Sequence, residues 1–155
     1  MPREKKNKTL SVVFWILTAF VMAIIFFLSS RNADESASQS SWLLTIINSI
    51  FGATLTDFII RKAAHFCEYV LLCFLFNCSF YLTFKKNRTW LSLALTSLYA
   101  ATDEIHQIFV EGRSCELRDW AIDTAGAIVG LTVFVIITFI ANQYKQKKID
   151  RVHSE

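Results

Sequence analysis

The chain has 155 residues, of which 54% are hydrophobic, 14% aromatic and 19% charged, with a formal net charge of +3. A soluble domain usually carries about 25% charged residues, so this composition argues against a soluble globular protein. The small net charge, with no basic stripe interleaved with aromatics, argues against a nucleic-acid partner.

Fourteen Phe against four Gly and one Pro favour helices in lipid over a turn-rich β protein. A helix needs roughly 20 residues to cross a hydrocarbon core of about 30 Å. Four runs meet that need, with expected spans 10–30, 63–84, 89–109 and 119–141. The first follows Arg3, Lys5, Lys6 and Lys8, which resemble the basic start of a signal peptide. Its apolar stretch exceeds the roughly 7–15 residues of a signal core, and no A-x-A site follows, so a retained helix is expected. Between the first two spans lie a polar, Ser-rich segment and the apolar stretch WLLTIINSIFGATLTDFII, broken by Asn48, Gly52 and Asp57. The expectation there is an amphipathic helix over 41–60, lying in the membrane interface.

Basic residues set the orientation. Arg3, Lys5, Lys6 and Lys8 precede the first span, Lys85, Lys86 and Arg88 join the second to the third, and Lys145, Lys147, Lys148 and Arg151 follow the fourth. If every run crosses, all these clusters fall on one side. The positive-inside rule makes that side cytoplasmic, with both termini inside. The predicted class is therefore an all-α membrane protein of four transmembrane helices with an outer interfacial helix, in one domain over 1–155. A homo-oligomer is compatible with this pattern.

Ionisable residues inside spans are costly and mark function or pairing. Here they gather in the predicted outer half. The second span opens with Arg61, Lys62, His65, Glu68 and Tyr69, and the third ends with Asp103, Glu104, His106 and Gln107. The loop and the start of the fourth add Arg113, Asp119 and Asp123. Arg61, His65 and Glu68 are spaced i, i+4, i+7, on one helical face. Asp103, His106 and Gln107 share a face too, as do Asp119, Asp123 and Gly126. Gly126 and Gly130 permit a close helix approach, and Gly112 suits a tight turn presenting Arg113. A polar pocket open to the outside, laced with ion pairs, is the simplest arrangement.

Several chemistries remain open at this pocket. Arg61, Lys62 and Arg113 suit a phosphate or carboxylate, or pair internally with Glu68, Asp119 and Asp123. Asp103 or His65 is the candidate base of a membrane-embedded enzyme acting on a lipid headgroup or a lipid-linked envelope precursor. Adjacent helical residues point about 100° apart, so Asp103, with His106 and Gln107, is preferred to Glu104, which is assigned to a contact with the neighbouring helix. A proton-coupled transporter using Glu68, Asp103 and Asp123 would need a dimer, and purely structural pairing is the plainest alternative. No HExxH or compact ligand pair appears, so neither a metal nor another cofactor is expected. Cys67 and Cys115 both fall near the outer face, where a disulfide would need their Cα atoms within about 7 Å of each other.

RKxxHFxEY from Arg61, DExxQxFxxGR from Asp103, and Asp119-xxx-Asp123-xx-Gly126 together resemble the VanZ-like family of small bacterial membrane proteins. The segment FLSSRNADESASQSS is similar to the family's Ser- and Gln-containing outer segment, so the resemblance runs from about Phe27 to Gly130. It carries over onto Lys62, His65, Tyr69, Asp103, Glu104, Gln107, Arg113, Asp119 and Gly126. It implies a multi-pass protein of the bacterial cell membrane. The family's best-known member is linked to low-level resistance to the glycopeptide antibiotic teicoplanin. The resemblance thus implies altered glycopeptide susceptibility, with the antibiotic or a lipid-linked envelope precursor as the expected partner.

Overall fold

The computed structural model describes residues 2–32, 45, 46, 49 and 56–154. Among these residues every regular element is helical: α1 (Pro2–Ser29), α2 (Asp57–Phe84), α3 (Thr89–Gln107) and α4 (Leu117–Ser154). Among the described residues three stretches are long and apolar enough to cross a membrane, Lys8–Ser29, Ile59–Phe84 and Leu117–Arg151. The nineteen residues of α3 carry Asp103, Glu104, His106 and Gln107 in their last turns, which lowers the helix's mean hydropathy.

Helix boundaries depart from the expected spans for local reasons. α2 starts at Asp57, not residue 63, because Thr56 is extended and its side chain accepts a hydrogen bond from the Ile59 amide. A capping threonine satisfies an amide that the first turn leaves unpaired. The last residues assigned to the interfacial helix 41–60 therefore begin α2; most of the rest of that helix lies outside the described residues. α4 runs well past residue 141, since the polar segment beyond it has neither Gly nor Pro to stop a helix.

Side-chain hydrogen bonds fix an up-and-down arrangement. Ser11 and Trp15, near the start of α1, bond to Thr83 near the end of α2, at 2.7 and 3.0 Å. At the other end of α1, Ser29 accepts from Gln107 at 3.0 Å and Ser30 bonds to His106 at 3.0 Å. Lys62 at the start of α2 is ion-paired with Asp119 at the start of α4. The starts of α2 and α4 and the ends of α1 and α3 thus share one end of the bundle. The chain's N-terminal segment and the α2–α3 connection, with Lys85, Lys86 and Arg88, lie at the other.

Between the ends, small polar residues tie helices together. Thr18 and Ser79 bond at 3.1 Å, Ser97 and Thr124 at 2.9 Å, and the Tyr99 hydroxyl donates to the Met22 carbonyl at 2.7 Å. In lipid the hydrophobic effect does little to hold helices together, so such bonds and close packing carry the association. Ile25, Tyr69, Leu72, Phe76, Phe80 and Ala100 form the buried core, with Trp15 edge-on to Phe80 at 5.2 Å. Gly126 and Gly130 bring α4 against the α2 backbone at Phe66 and Val70. Outward faces carry Ile16, Phe20, Leu98 and Phe139, all more than half exposed, as a lipid-facing belt would. All four cysteines are free thiols, so no disulfide joins Cys67 to Cys115.

Candidate ligand-binding site at one end of the bundle

The end of the bundle away from the α2–α3 connection holds an open, polar-lined cavity of about 160 Å³. That is far more than the ~10–15 Å³ a single water needs. α2 contributes Arg61, Lys62 and His65, α3 contributes Glu104 and Gln107, and α4 contributes Asp119 and Asp123. The α3–α4 loop closes the ring with Gly112, Arg113, Ser114 and Glu116.

That loop is built to present Arg113. The Arg113 amide donates to the Val110 carbonyl at 3.1 Å, and Gly112 sits at φ 75°, a backbone conformation that favours glycine. Glu116 then opens α4, its carbonyl accepting from the Asp119 amide at 2.9 Å. Its own amide donates to the Glu104 carboxylate at 2.9 Å. Glu104 thus contacts the neighbouring helix, and its negative charge complements the positive end of α4.

The charges in the cavity are only partly matched. Lys62 pairs with Asp119, whose second carboxylate oxygen is buried without a partner. Arg61 and Arg113 have no carboxylate within ion-pair distance among the described residues, and the Arg113 Nε is buried without an acceptor. Burial, reinforced by Arg61, pushes the Arg113 guanidinium below its ordinary pKa. An anion beside the two arginines would oppose both effects. Asp123, 2% exposed, also faces the cavity with no hydrogen bond or ion pair among the described residues.

Four of the sequence-designated residues stand outside the cavity lining. Glu68 lies behind His65, its carboxylate 4.0 Å from the imidazole Nδ1. Tyr69 is fully buried in the core, its hydroxyl unpartnered. His106 turns towards α1, its ring 4.6 Å from that of Phe26. Asp103, 4% exposed, accepts a 3.4 Å hydrogen bond from Gln107 and leaves its other oxygen buried and unpartnered. Of the adjacent acids, Glu104 faces the cavity and Asp103 does not. Gln107, on the same face as Asp103, lines the cavity and also donates to Ser29 of α1. Sequence reasoning did not single out Ser29, Ser30, Ser114 or Glu116; an acid just before the fourth apolar run was the available signal for Glu116. Among the described residues no three His, Cys, Asp or Glu side chains converge as a metal site requires.

Fold and cavity together define a small multi-pass helical membrane protein with a polar chamber at one end of its bundle. The family model described as VanZ/LLP1 matches residues 14–138, and the chain belongs to that family. No curated protein and no solved structure matches it.

Proposed function

We propose that this protein alters susceptibility to glycopeptide antibiotics such as teicoplanin by recognising the polar part of an amphiphile in its cavity. The carrying observation is that Arg61 and Arg113 face one polar cavity with no carboxylate within ion-pair distance among the described residues. Such a site suits an anionic group, and its place at a helix-bundle end beside an apolar belt suits a molecule with a lipid tail. Teicoplanin's acyl chain and a lipid-linked envelope precursor both meet that description. In this reading all four helices cross the bacterial membrane, the basic clusters and both termini are cytoplasmic, and the cavity opens outward.

Susceptibility testing decides the role. A sensitive Gram-positive host expressing the protein is expected to gain protection against teicoplanin, and Arg113→Gln at matched membrane levels is expected to lose it. Protection that Arg113→Gln retains would separate the phenotype from the cavity.

Orientation has its own test. Cys115 is exposed in the loop beside the cavity, while Cys73 is buried. A chain keeping only Cys115, made with Cys67→Ser, Cys73→Ser and Cys78→Ser, is expected to react in intact cells with a membrane-impermeant thiol reagent. Labelling seen only after the cells are opened would place the cavity on the cytoplasmic side.

A further inference from the structure

We propose that the cavity binds a zwitterionic phosphate group, with the phosphate on Arg61 and Arg113 at its mouth and the attached ammonium on Asp123 at its floor. The proposal rests on the reading of the cavity as a recognition site and names the class of group recognised.

The argument begins with the segregation of charge. Arg61 and Arg113 are only half-buried and lie within electrostatic reach of one another. Asp123 is almost wholly buried, on the side of the cavity shared with Glu104 and Asp119. The mouth therefore carries both arginines, with the exposed Glu116 on the same loop as Arg113, and the floor is acidic. Internal pairing removes part of each set: Lys62 is held by Asp119, Glu104 by the Glu116 amide, and the Glu116 carboxylate by the Ser114 hydroxyl. Two guanidiniums at the mouth and one carboxylate at the floor are left without a side-chain hydrogen bond or ion pair among the described residues.

Each leftover asks for a different group. The buried Arg113 Nε needs an acceptor, and guanidinium forks match phosphate oxygens. Asp123, when ionised, only accepts, so it needs a donor. Inorganic phosphate satisfies the arginines but brings a like charge towards Asp123. A simple cation does the reverse. A phosphate carrying a primary ammonium satisfies both, whereas a quaternary ammonium brings Asp123 a charge but, having no N–H, no hydrogen bond. The group can come from a lipid headgroup or from a free amino-phosphate, since the recognised chemistry is the same.

The test uses the purified full-length protein. In detergent, phosphoethanolamine, phosphocholine and inorganic phosphate are titrated by calorimetry. Phosphoethanolamine is expected to bind at least about tenfold more tightly than the other two, as one charge-assisted hydrogen bond implies. Asp123→Asn is expected to erase that preference while keeping phosphate-level binding. Arg61→Gln, at the half-exposed mouth, is expected to weaken all three and guards against a folding defect at the floor. In nanodiscs mixing phosphatidylethanolamine with phosphatidylglycerol, native mass spectrometry finds the ethanolamine lipid retained if the source is a headgroup. Binding confined to soluble phosphoethanolamine assigns a free ligand. Equal affinity for phosphoethanolamine and phosphocholine, a preference surviving in Asp123→Asn, or no binding at all would overturn the proposal. Teicoplanin protection alongside any of those outcomes would leave the antibiotic role standing; selective binding without protection would do the opposite.

Discussion

Gly130→Ala is expected to be among the most damaging single methyl groups that this chain can receive. A Cβ at this position would overlap the Val70 carbonyl oxygen of α2 and stand 3.0 Å from its carbon and 3.2 Å from its Cα. These are backbone atoms, so no rotamer change relieves the clash; the two helices must separate. Gly126 repeats the situation one turn earlier, 2.5 Å from the Phe66 carbonyl oxygen. Overpacking typically costs about 1–3 kcal/mol and occasionally more, and a clash with the facing backbone belongs at the upper end. Thermal unfolding in detergent, followed by circular dichroism and size exclusion, is the measurement. Ala125→Leu, on the exposed side of the same helix, is the control, expected to stay within about 0.5 kcal/mol of wild type. A Gly130→Ala protein melting with the wild type would show that α2 and α4 do not meet as described.

The second large effect is expected at the ion pair. Lys62→Met removes the cation from Asp119, a residue 8% exposed whose other carboxylate oxygen is already unpartnered. Breaking a buried pair costs about 3–5 kcal/mol, because a charge is left buried alone. The Lys62 side chain keeps 24% exposure, so a loss near the lower bound, about 3 kcal/mol, is expected. Replacing both partners, Lys62→Met with Asp119→Leu, is expected to recover most of that stability while leaving the cavity without its pair. The same thermal measurements, arranged as a double-mutant cycle, read the coupling directly. Losses that simply add would show that the two side chains act independently. If the wild type protects against teicoplanin as proposed, recovered stability without recovered protection would assign the pair to the site as well as to the fold.

These two contacts show what the amino-acid pattern made readable. The small-residue spacing of Gly126 and Gly130 announced a close approach, and the approach lies there, although nothing in the spacing named α2 as the neighbour. Arg61 and His65 share a helical face and do line one cavity, as do Asp119 and Asp123. Glu68 continues the first face yet falls behind the cavity. Periodicity describes directions around a helix axis, whereas the cavity's edge is set by where α3 and α4 happen to lie. The same gap explains Asp103 and Glu104: the roughly 100° between them was calculable, but which of the two faced inward depended on how α3 is rotated against α1. The start of α2 was readable in principle, since Thr56 followed by Asp57 before an apolar run is a helix-start pattern; hydropathy alone does not show it, because the polar Arg61 and Lys62 interrupt the apolar run. The end of α4 was hidden likewise, because the lysines and glutamines past residue 141 read as a tail although they are good helix formers.

That unbroken last helix makes part of the molecule a measuring rod. Its 38 residues correspond to roughly 57 Å at 1.5 Å per residue, nearly twice the ~30 Å of a bilayer's hydrocarbon interior. From Phe139 to Arg151 every described side chain is exposed, so among the described residues no other helix braces this stretch. A spin label or fluorophore at Gln146, paired with one at the membrane surface, would therefore report the angle at which α4 leans. A reporter fused to the chain's end would likewise ride on a stiff stalk, and its distance from the membrane would reveal any rocking of the bundle.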